Sequence, residues 1–128
     1  MNTIKVRGRV STGKGAGRRF VAIPWARQQI NEKLGFDPHL GTLNLRLQES
    51  VAKKLKETLK KLRGVEIASP EALFPARCFK ALIMNIECAI ILPEKPDYPP
   101  DVLEVIAPVH LRSRLSLRDG DEVEMAIS

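Results

Sequence analysis

Aromatic residues are scarce in this sequence: four Phe, one Trp and one Tyr among 128 positions. A platform that stacks successive bases of a single-stranded nucleic acid needs more rings than that. Only two cysteines, Cys78 and Cys88, and two histidines, His39 and His110, are present, with no C-x-x-C pair. This inventory is a poor basis for a zinc site, and the cysteines, set in apolar runs, read as buried free thiols. No apolar run approaches the roughly 20 residues that span a bilayer, so no membrane partner is expected. The N-terminal MNTIKVRGRV lacks the apolar stretch of a signal peptide, and the expected location is the cytoplasm. Acidic residues are also the minority charge, 15 against 21 Lys and Arg, for a net charge of +6. That balance favours a phosphate-bearing partner such as a nucleotide, a nucleic acid or an anionic surface, without choosing among them.

What is present suffices for a core. With 44% hydrophobic residues in 128 positions, the chain suits one domain, residues 1–128. Residues 4–10 alternate apolar and polar around Gly8 and read as a strand. Phe20-Val21-Ala22-Ile23 reads as a second short strand, so the glycine-rich segment before it would join two strands. Pro24 and Gly35 bracket a helix with Ala26, Ile30 and Leu34 on one face. GTLNLRL, residues 41–47, alternates as a half-buried strand. A lysine-rich helix runs from an N-cap at Ser50 to Gly64, with Val51, Leu55, Leu59 and Leu62 as its apolar stripe and a solvated face of Lys and Arg. Residues 77–84 and 86–92 form two strands turning near Asn85, and the proline-rich PEKPDYPP follows as a loop. Residues 102–106 form a strand, 111–117 a helical turn, and 122–127 a last strand after an Asp119-Gly120 turn. Many short strands with two or three helices predict a mainly β fold, a small β-barrel with helical insertions.

The segment STGKGAGRR, residues 11–19, carries the strongest chemical signal. With Gly8 it satisfies a Walker A loop in all but the last position, where Gly15 replaces the hydroxyl that would bind Mg²⁺. Its G-x-G-x-G spacing is also not the dinucleotide fingerprint. Phosphate can be held without either frame. Gly13, Gly15 and Gly17 permit backbone turns whose N–H groups face one anion, and Lys14, Arg18 and Arg19 add charge beside them. The same composition suits a plain basic hairpin loop, and the residues alone leave both readings open. On the GTLNL strand, Thr42 and Asn44 share a face and offer two hard oxygen donors suited to Mg²⁺ on nucleotide phosphates, or simply a polar outer surface.

Taken together, GRVSTGKGAGRRF, LGFDPHLGTLNLRL, AIILPEKPDYPPDVLEVIAPVHLR and LSLRDGDEVEM resemble, in order, the archaeal CTP-dependent riboflavin kinases. The resemblance covers nearly the whole chain and is least over residues 49–77. It implies a single-domain, six-stranded cradle-loop barrel in which DGDEVEM forms the GD turn. It implies transfer of the γ-phosphoryl of CTP to the ribityl 5′-hydroxyl of riboflavin, giving FMN and CDP with Mg²⁺. By position, Lys14, Gly15, Ala16, Gly17, Arg18 and Arg19 would wrap the phosphates. Thr42 and Asn44 would ligate Mg²⁺. Glu104 would lie at the flavin site, as general base or flavin contact. Val109, His110, Leu111 and Arg112 would contact the cytidine nucleotide. Two departures stand out. Ala16 replaces a usual acidic residue, and Pro96 aligns with a threonine that contacts FMN. Proline has neither hydroxyl nor N–H, so that contact is lost or taken over, with Asp97 or Tyr98 at hand.

The partners so implied are riboflavin and CTP; nucleic acid is not expected, and the oligomeric state stays open with a monomer slightly favoured. Two other readings compete. One is a barrel that binds flavin or nucleotide without catalysis, separated from a kinase by activity on riboflavin. The other is a DNA-binding barrel regulator, marked by salt-dependent DNA retention without CTP binding.

Overall fold

The computed structural model describes residues 3–13, 16–68, 75–94 and 98–128. Seven strands and four helices are described: β1 (Ile4–Ser11), α1 (Ala16–Ala22), α2 (Pro24–Leu34), β2 (Leu43–Arg46), α3 (Glu49–Leu62), β3 (Val65–Ile67), β4 (Ala76–Ile83), β5 (Ile86–Pro93), β6 (Val102–Ile106), α4 (Leu111–Arg114) and β7 (Glu122–Ile127). All strand pairs are antiparallel, in the order β3-β4-β5-β6-β2-β1-β7. β7 returns to β4 through Ala81↔Ile127 and Leu82↔Ala126, which closes six strands into a barrel. β3 lies outside that ring, paired to the first residues of β4 through Val65↔Cys78. The expected mainly β barrel with helical insertions is therefore the observed fold. Among the described residues no helix is long and apolar enough to cross a membrane.

Two apolar clusters hold the fold. Val6, Leu43, Leu45, Leu103, Val105 and Met125, among others, fill the barrel. The second cluster lies outside the barrel wall, where Ala26, Ile30 and Leu34 of α2 pack on Ala89 and Ile91 of β5 and Ile106 of β6. β5 thus buries both faces, which explains why its sequence runs apolar from Cys88 to Leu92 instead of alternating. Cys78 and Cys88 are buried free thiols, and burial pushes both pKa values up to about 12. The β4–β5 hairpin turns on Met84 and Asn85 with φ 46° and 68°, the left-handed pair that a two-residue turn requires. α2 ends on Gly35 at φ 83°, where the cap N–H returns to the Asn31 carbonyl.

Three expectations need correction. Residues 20–23 are not a strand: 20–22 end α1, so the glycine segment runs from β1 into a helix. A run of four apolar residues carries no period, and packing decides it. Val21 is fully buried in the outer cluster, and Phe20 meets Trp25 of α2 edge-on at 5.7 Å. The lysine-rich helix begins one residue before Ser50, with Gln48 at its N-cap. Its buried stripe is Ala52, Leu55 and Leu59, while Val51 and Leu62 are 41% and 52% exposed on the flank. β3 was not expected, since three residues are too few to show alternation.

Candidate active site

Strand register sets the site out in a row. Ser11 of β1 pairs with Asn44 of β2, Asn44 with Glu104 of β6, and Glu104 with Ile91 of β5. Residues directly opposite share a face. Leu43, Leu45, Leu103 and Val105 point into the barrel, so Ser11, Asn44 and Glu104 lie on its outer wall. Thr42 immediately precedes β2 on the same side.

An outward glutamate would ordinarily be solvated, yet Glu104 is only 4% exposed and is the one buried charged residue among those described. Gly17 covers it. A methyl group added at Gly17 would land on Glu104 Oε2, 2.9 Å from the carboxyl carbon and 3.1 Å from Thr42 Cγ2. A methyl added at Gly13 would lie 2.6 Å from Asn44 Oδ1. These glycines are required for space: only a residue without a side chain lets the backbone lie flat on Thr42, Asn44 and Glu104.

The two carboxylate oxygens have different surroundings. Oε1 accepts a hydrogen bond from the Tyr98 hydroxyl at 3.0 Å. Oε2 completes no hydrogen bond of good geometry among the described residues; the Gly17 N–H and the Thr42 hydroxyl are near the carboxylate without closing one. Burial pushes the carboxyl pKa up; the Tyr98 hydroxyl, the Gly17 N–H, the Thr42 hydroxyl and the Arg19 charge oppose the rise. The Tyr98 phenol is pushed up as well, first by burial and then by the carboxylate beside it. A buried acceptor without a donor is costly, and such atoms mark places where a ligand completes the bonding.

Residues 109–112 reach the same end of the barrel. Leu111 is anchored in the barrel core. His110 stacks on His39 with ring centroids 5.0 Å apart and planes 20° from parallel, and its Nδ1 lies 2.7 Å from the Ser113 hydroxyl. His39 Nδ1 accepts the Gly41 N–H at 3.0 Å, so the stack steadies the turn that leads to Thr42. Arg112 pairs with Asp119 at 3.0 Å, and Asp119 accepts the Thr12 hydroxyl at 3.0 Å. Thr12, Gly17 and the segments 39–44 and 104–112 are thereby tied into one surface.

The expected site residues divide accordingly. Gly17, Thr42, Asn44 and Glu104 come into contact or into one row, and His110 and Arg112 are linked to them through His39, Asp119 and Thr12. Arg18 is exposed on α1, and Val109 is half-buried. Lys14, Gly15, Pro96 and Asp97 lie outside the described residues, as does the side chain of Ala16. The bond from Tyr98 to Glu104, the His39–His110 stack and the Arg112–Asp119–Thr12 chain were not anticipated. Local signals existed: Tyr98 is the sole tyrosine, and His39 sits two residues before the GTLNL strand.

The donor set also indicates which cation fits. Among the described residues no group of three His, Cys, Asp or Glu could hold a metal by itself. Thr42 and Asn44 are neutral hard oxygen donors beside the unpartnered Glu104 Oε2. Such a set fits Mg²⁺ that arrives on phosphate groups and keeps most of its waters, because that ion needs only one or two protein donors.

Comparison with known proteins points the same way. Residues 10–127 match the CTP-dep_RFKase family model, described as a domain of unknown function, DUF120. The chain is 43% identical to the riboflavin kinase of Archaeoglobus fulgidus, over 98% of this chain and 55% of that protein. It is 40% identical to the riboflavin kinase of Methanocella arvoryzae, over 95% of this chain and 56% of that protein. With the riboflavin kinase of Ignicoccus hospitalis the identity is 38%, over 97% of this chain and 71% of that protein. The chain therefore spans little more than half the length of the first two relatives.

Proposed function

The chain belongs to the CTP-dependent riboflavin kinase family, and from that premise we propose that it phosphorylates riboflavin at the ribityl 5′-hydroxyl, with CTP as donor and FMN and CDP as products. The reading covers residues 1–128 as one catalytic domain. The observation that carries it is the buried carboxylate of Glu104, with one oxygen unpartnered and a side-chain-free backbone pressed against it.

Phosphoryl transfer asks the protein chiefly to position two substrates and to offset charge on the moving group. In this reading the backbone of residues 13–17 lies along the triphosphate, and Lys14, Arg18 and Arg19 supply positive charge. Mg²⁺ would be held by Thr42 and Asn44 and would neutralise phosphate charge. Glu104 Oε2 accepts a hydrogen bond from the ribityl hydroxyl, which gives the buried oxygen the donor it lacks. Burial raises its basicity, so Glu104 is suited both to orient that hydroxyl and to accept its proton. Tyr98 fixes the carboxylate through Oε1. Tyr98 also follows Pro96 by two residues in the sequence, and its hydroxyl would take the place of the threonine's. Val109, His110, Leu111 and Arg112 would contact the cytidine nucleotide, in part through backbone groups, since the Leu111 side chain is buried in the barrel core; a pocket closed around a pyrimidine by short backbone contacts has no room for a purine.

The experiment is formation of FMN by the purified chain supplied with riboflavin, Mg²⁺ and CTP, resolved by chromatography. FMN is expected, with the Glu104→Gln variant slower by about 10²-fold or more, the scale of general-base loss. Riboflavin left unaltered by folded protein that binds CTP would refute the kinase and leave a binding barrel.

A further inference from the structure

The turn that carries Thr42 is held by a residue outside the expected donor set. Continued past the first residue of β2, the register of β2 with β6 would set Gly41 opposite Ala107. The His39 N–H takes the Ala107 carbonyl instead, at 2.7 Å, so the chain loops out between residues 39 and 43. Within that loop the Gly41 N–H donates to His39 Nδ1 at 3.0 Å. A side-chain acceptor placed two residues before the N–H it receives is how Asn and Asp close an Asx turn, and here an imidazole does the same. A ring nitrogen that accepts an N–H carries no proton, so the His39 proton sits on Nε2. Gly41 is also packed against both stacked rings: a methyl added there would lie 3.3 Å from His39 Nδ1 and 3.4 Å from His110 Cδ2.

His39 thus serves two neighbours with different parts of one ring. Its Nδ1 fixes the turn that leads to Thr42, and its face holds His110 in the stack. Both histidines are exposed and Gly41 is half-buried, so neither contact shields a core group, and water would satisfy the Gly41 N–H as well. What the imidazole adds is geometry. We propose that His39 is a positioning residue that couples the turn bearing the Mg²⁺ donors to the nucleotide-contacting segment 109–112. The acceptor nitrogen sets the entry of Thr42 and Asn44, and the stacked ring sets His110 and the residues beside it. The inference rests on the kinase reading for what binds at the two segments, and it adds a residue that acts on both through its neighbours.

Three substitutions separate the two contacts. His39→Asn keeps an acceptor for the Gly41 N–H and gives up the stack. His39→Phe keeps a flat ring against His110 and gives up the acceptor. His39→Ala gives up both. CTP binding would be measured by calorimetry without and with Mg²⁺, beside KM and kcat for FMN formation. Without Mg²⁺, His39→Asn and His39→Ala should bind CTP about 3-fold more weakly than the intact chain, the scale of one ring contact, and His39→Phe should match the intact chain. The further gain in CTP affinity on adding Mg²⁺ should fall about 5-fold in His39→Phe and His39→Ala, the scale of one hydrogen bond, and persist in His39→Asn. KM for riboflavin and thermal stability should not change in any of the three. Losses of one size in all three folded variants would make His39 a merely structural residue and overturn the coupling. CTP binding unaltered by all three, with FMN still formed, would overturn the coupling and leave the kinase standing. The expected pattern of CTP losses in a chain that forms no FMN would uphold the coupling and refute the kinase. An intact chain that binds no CTP would overturn both.

Discussion

Gly17→Ala is the smallest change that separates packing from chemistry at this site. Gly17 does not have a positive φ, so alanine meets no backbone penalty there. In a helix, alanine is favoured over glycine by up to about 1 kcal/mol, and less at the second residue of α1. Against that gain, the new methyl would overlap Glu104 Oε2 and press on Thr42 Cγ2 at 3.1 Å. Overpacking of this kind costs about 1–3 kcal/mol, because either the carboxylate leaves its rotamer or α1 lifts from the sheet. The net expectation is a loss of about 1–2 kcal/mol in urea denaturation. Either response also moves Glu104 relative to the glycine backbone, and a misplacement of about 1 Å costs on the order of 10²-fold in rate. The decisive assay is the double variant. Glu104→Ala removes the obstructing carboxylate, so Gly17→Ala introduced into that background should cost nothing or stabilise slightly. The two changes should therefore be non-additive by about 1–3 kcal/mol. Strict additivity, together with undiminished FMN formation by Gly17→Ala, would refute the contact between the glycine segment and Glu104.

Three further outcomes follow from the same geometry. The folded-state pKa of Glu104 is raised, so its ionisation costs stability that is absent below the unfolded carboxylate value and grows as pH rises through the folded one. Glu104→Gln should consequently be the more stable protein at pH 7, by about 1–3 kcal/mol in urea denaturation, with the gap closing near pH 4; a gap independent of pH contradicts the buried charge. Thr42→Ala and Asn44→Ala should each raise the Mg²⁺ concentration for half-maximal FMN formation while leaving thermal stability nearly unchanged; an unaltered Mg²⁺ dependence in both removes the pair from the metal. Gly64→Ala would combine φ 61° with a methyl 2.6 Å from the Cys78 carbonyl oxygen, whereas Gly35→Ala at φ 83° meets open space. Denaturation should show a loss of about 3 kcal/mol or more for the first and about 1 kcal/mol for the second, and equal losses would refute the close packing of β3's approach to β4.

The elements legible in the sequence are those whose local signals agree. Pro24, the Ala26-Ile30-Leu34 stripe and Gly35 all mark one helix, and α2 has those bounds. β6 and β7 also match the expected ranges, since each is a short run closed by proline or opened after an Asp-Gly turn. Where packing alone decides, the sequence misleads: Phe20 to Ala22 joins α1 because Val21 fits against α2, which no local period announces. The candidate site shows the same division. Alternation places Thr42 and Asn44 on one face and Glu104 opposite Leu103 and Val105. That Glu104 is buried could not be read locally, because its cover comes from Gly17, far away in the chain. The row Ser11–Asn44–Glu104 is likewise a product of register across three strands. Tyr98, in a proline-rich loop with no periodicity, gains its place only when β6 puts Glu104 within 3.0 Å.

A competition among nucleotides tests the kinase and its donor together. The purified chain would be given riboflavin and Mg²⁺ with CTP, UTP, ATP and GTP at equal concentrations, and every nucleotide and flavin product would be quantified. FMN and CDP are expected in equal amounts, with little UDP, ADP or GDP. FMN formed in step with ADP or GDP would contradict the pyrimidine pocket at residues 109–112, and the absence of FMN would contradict the kinase.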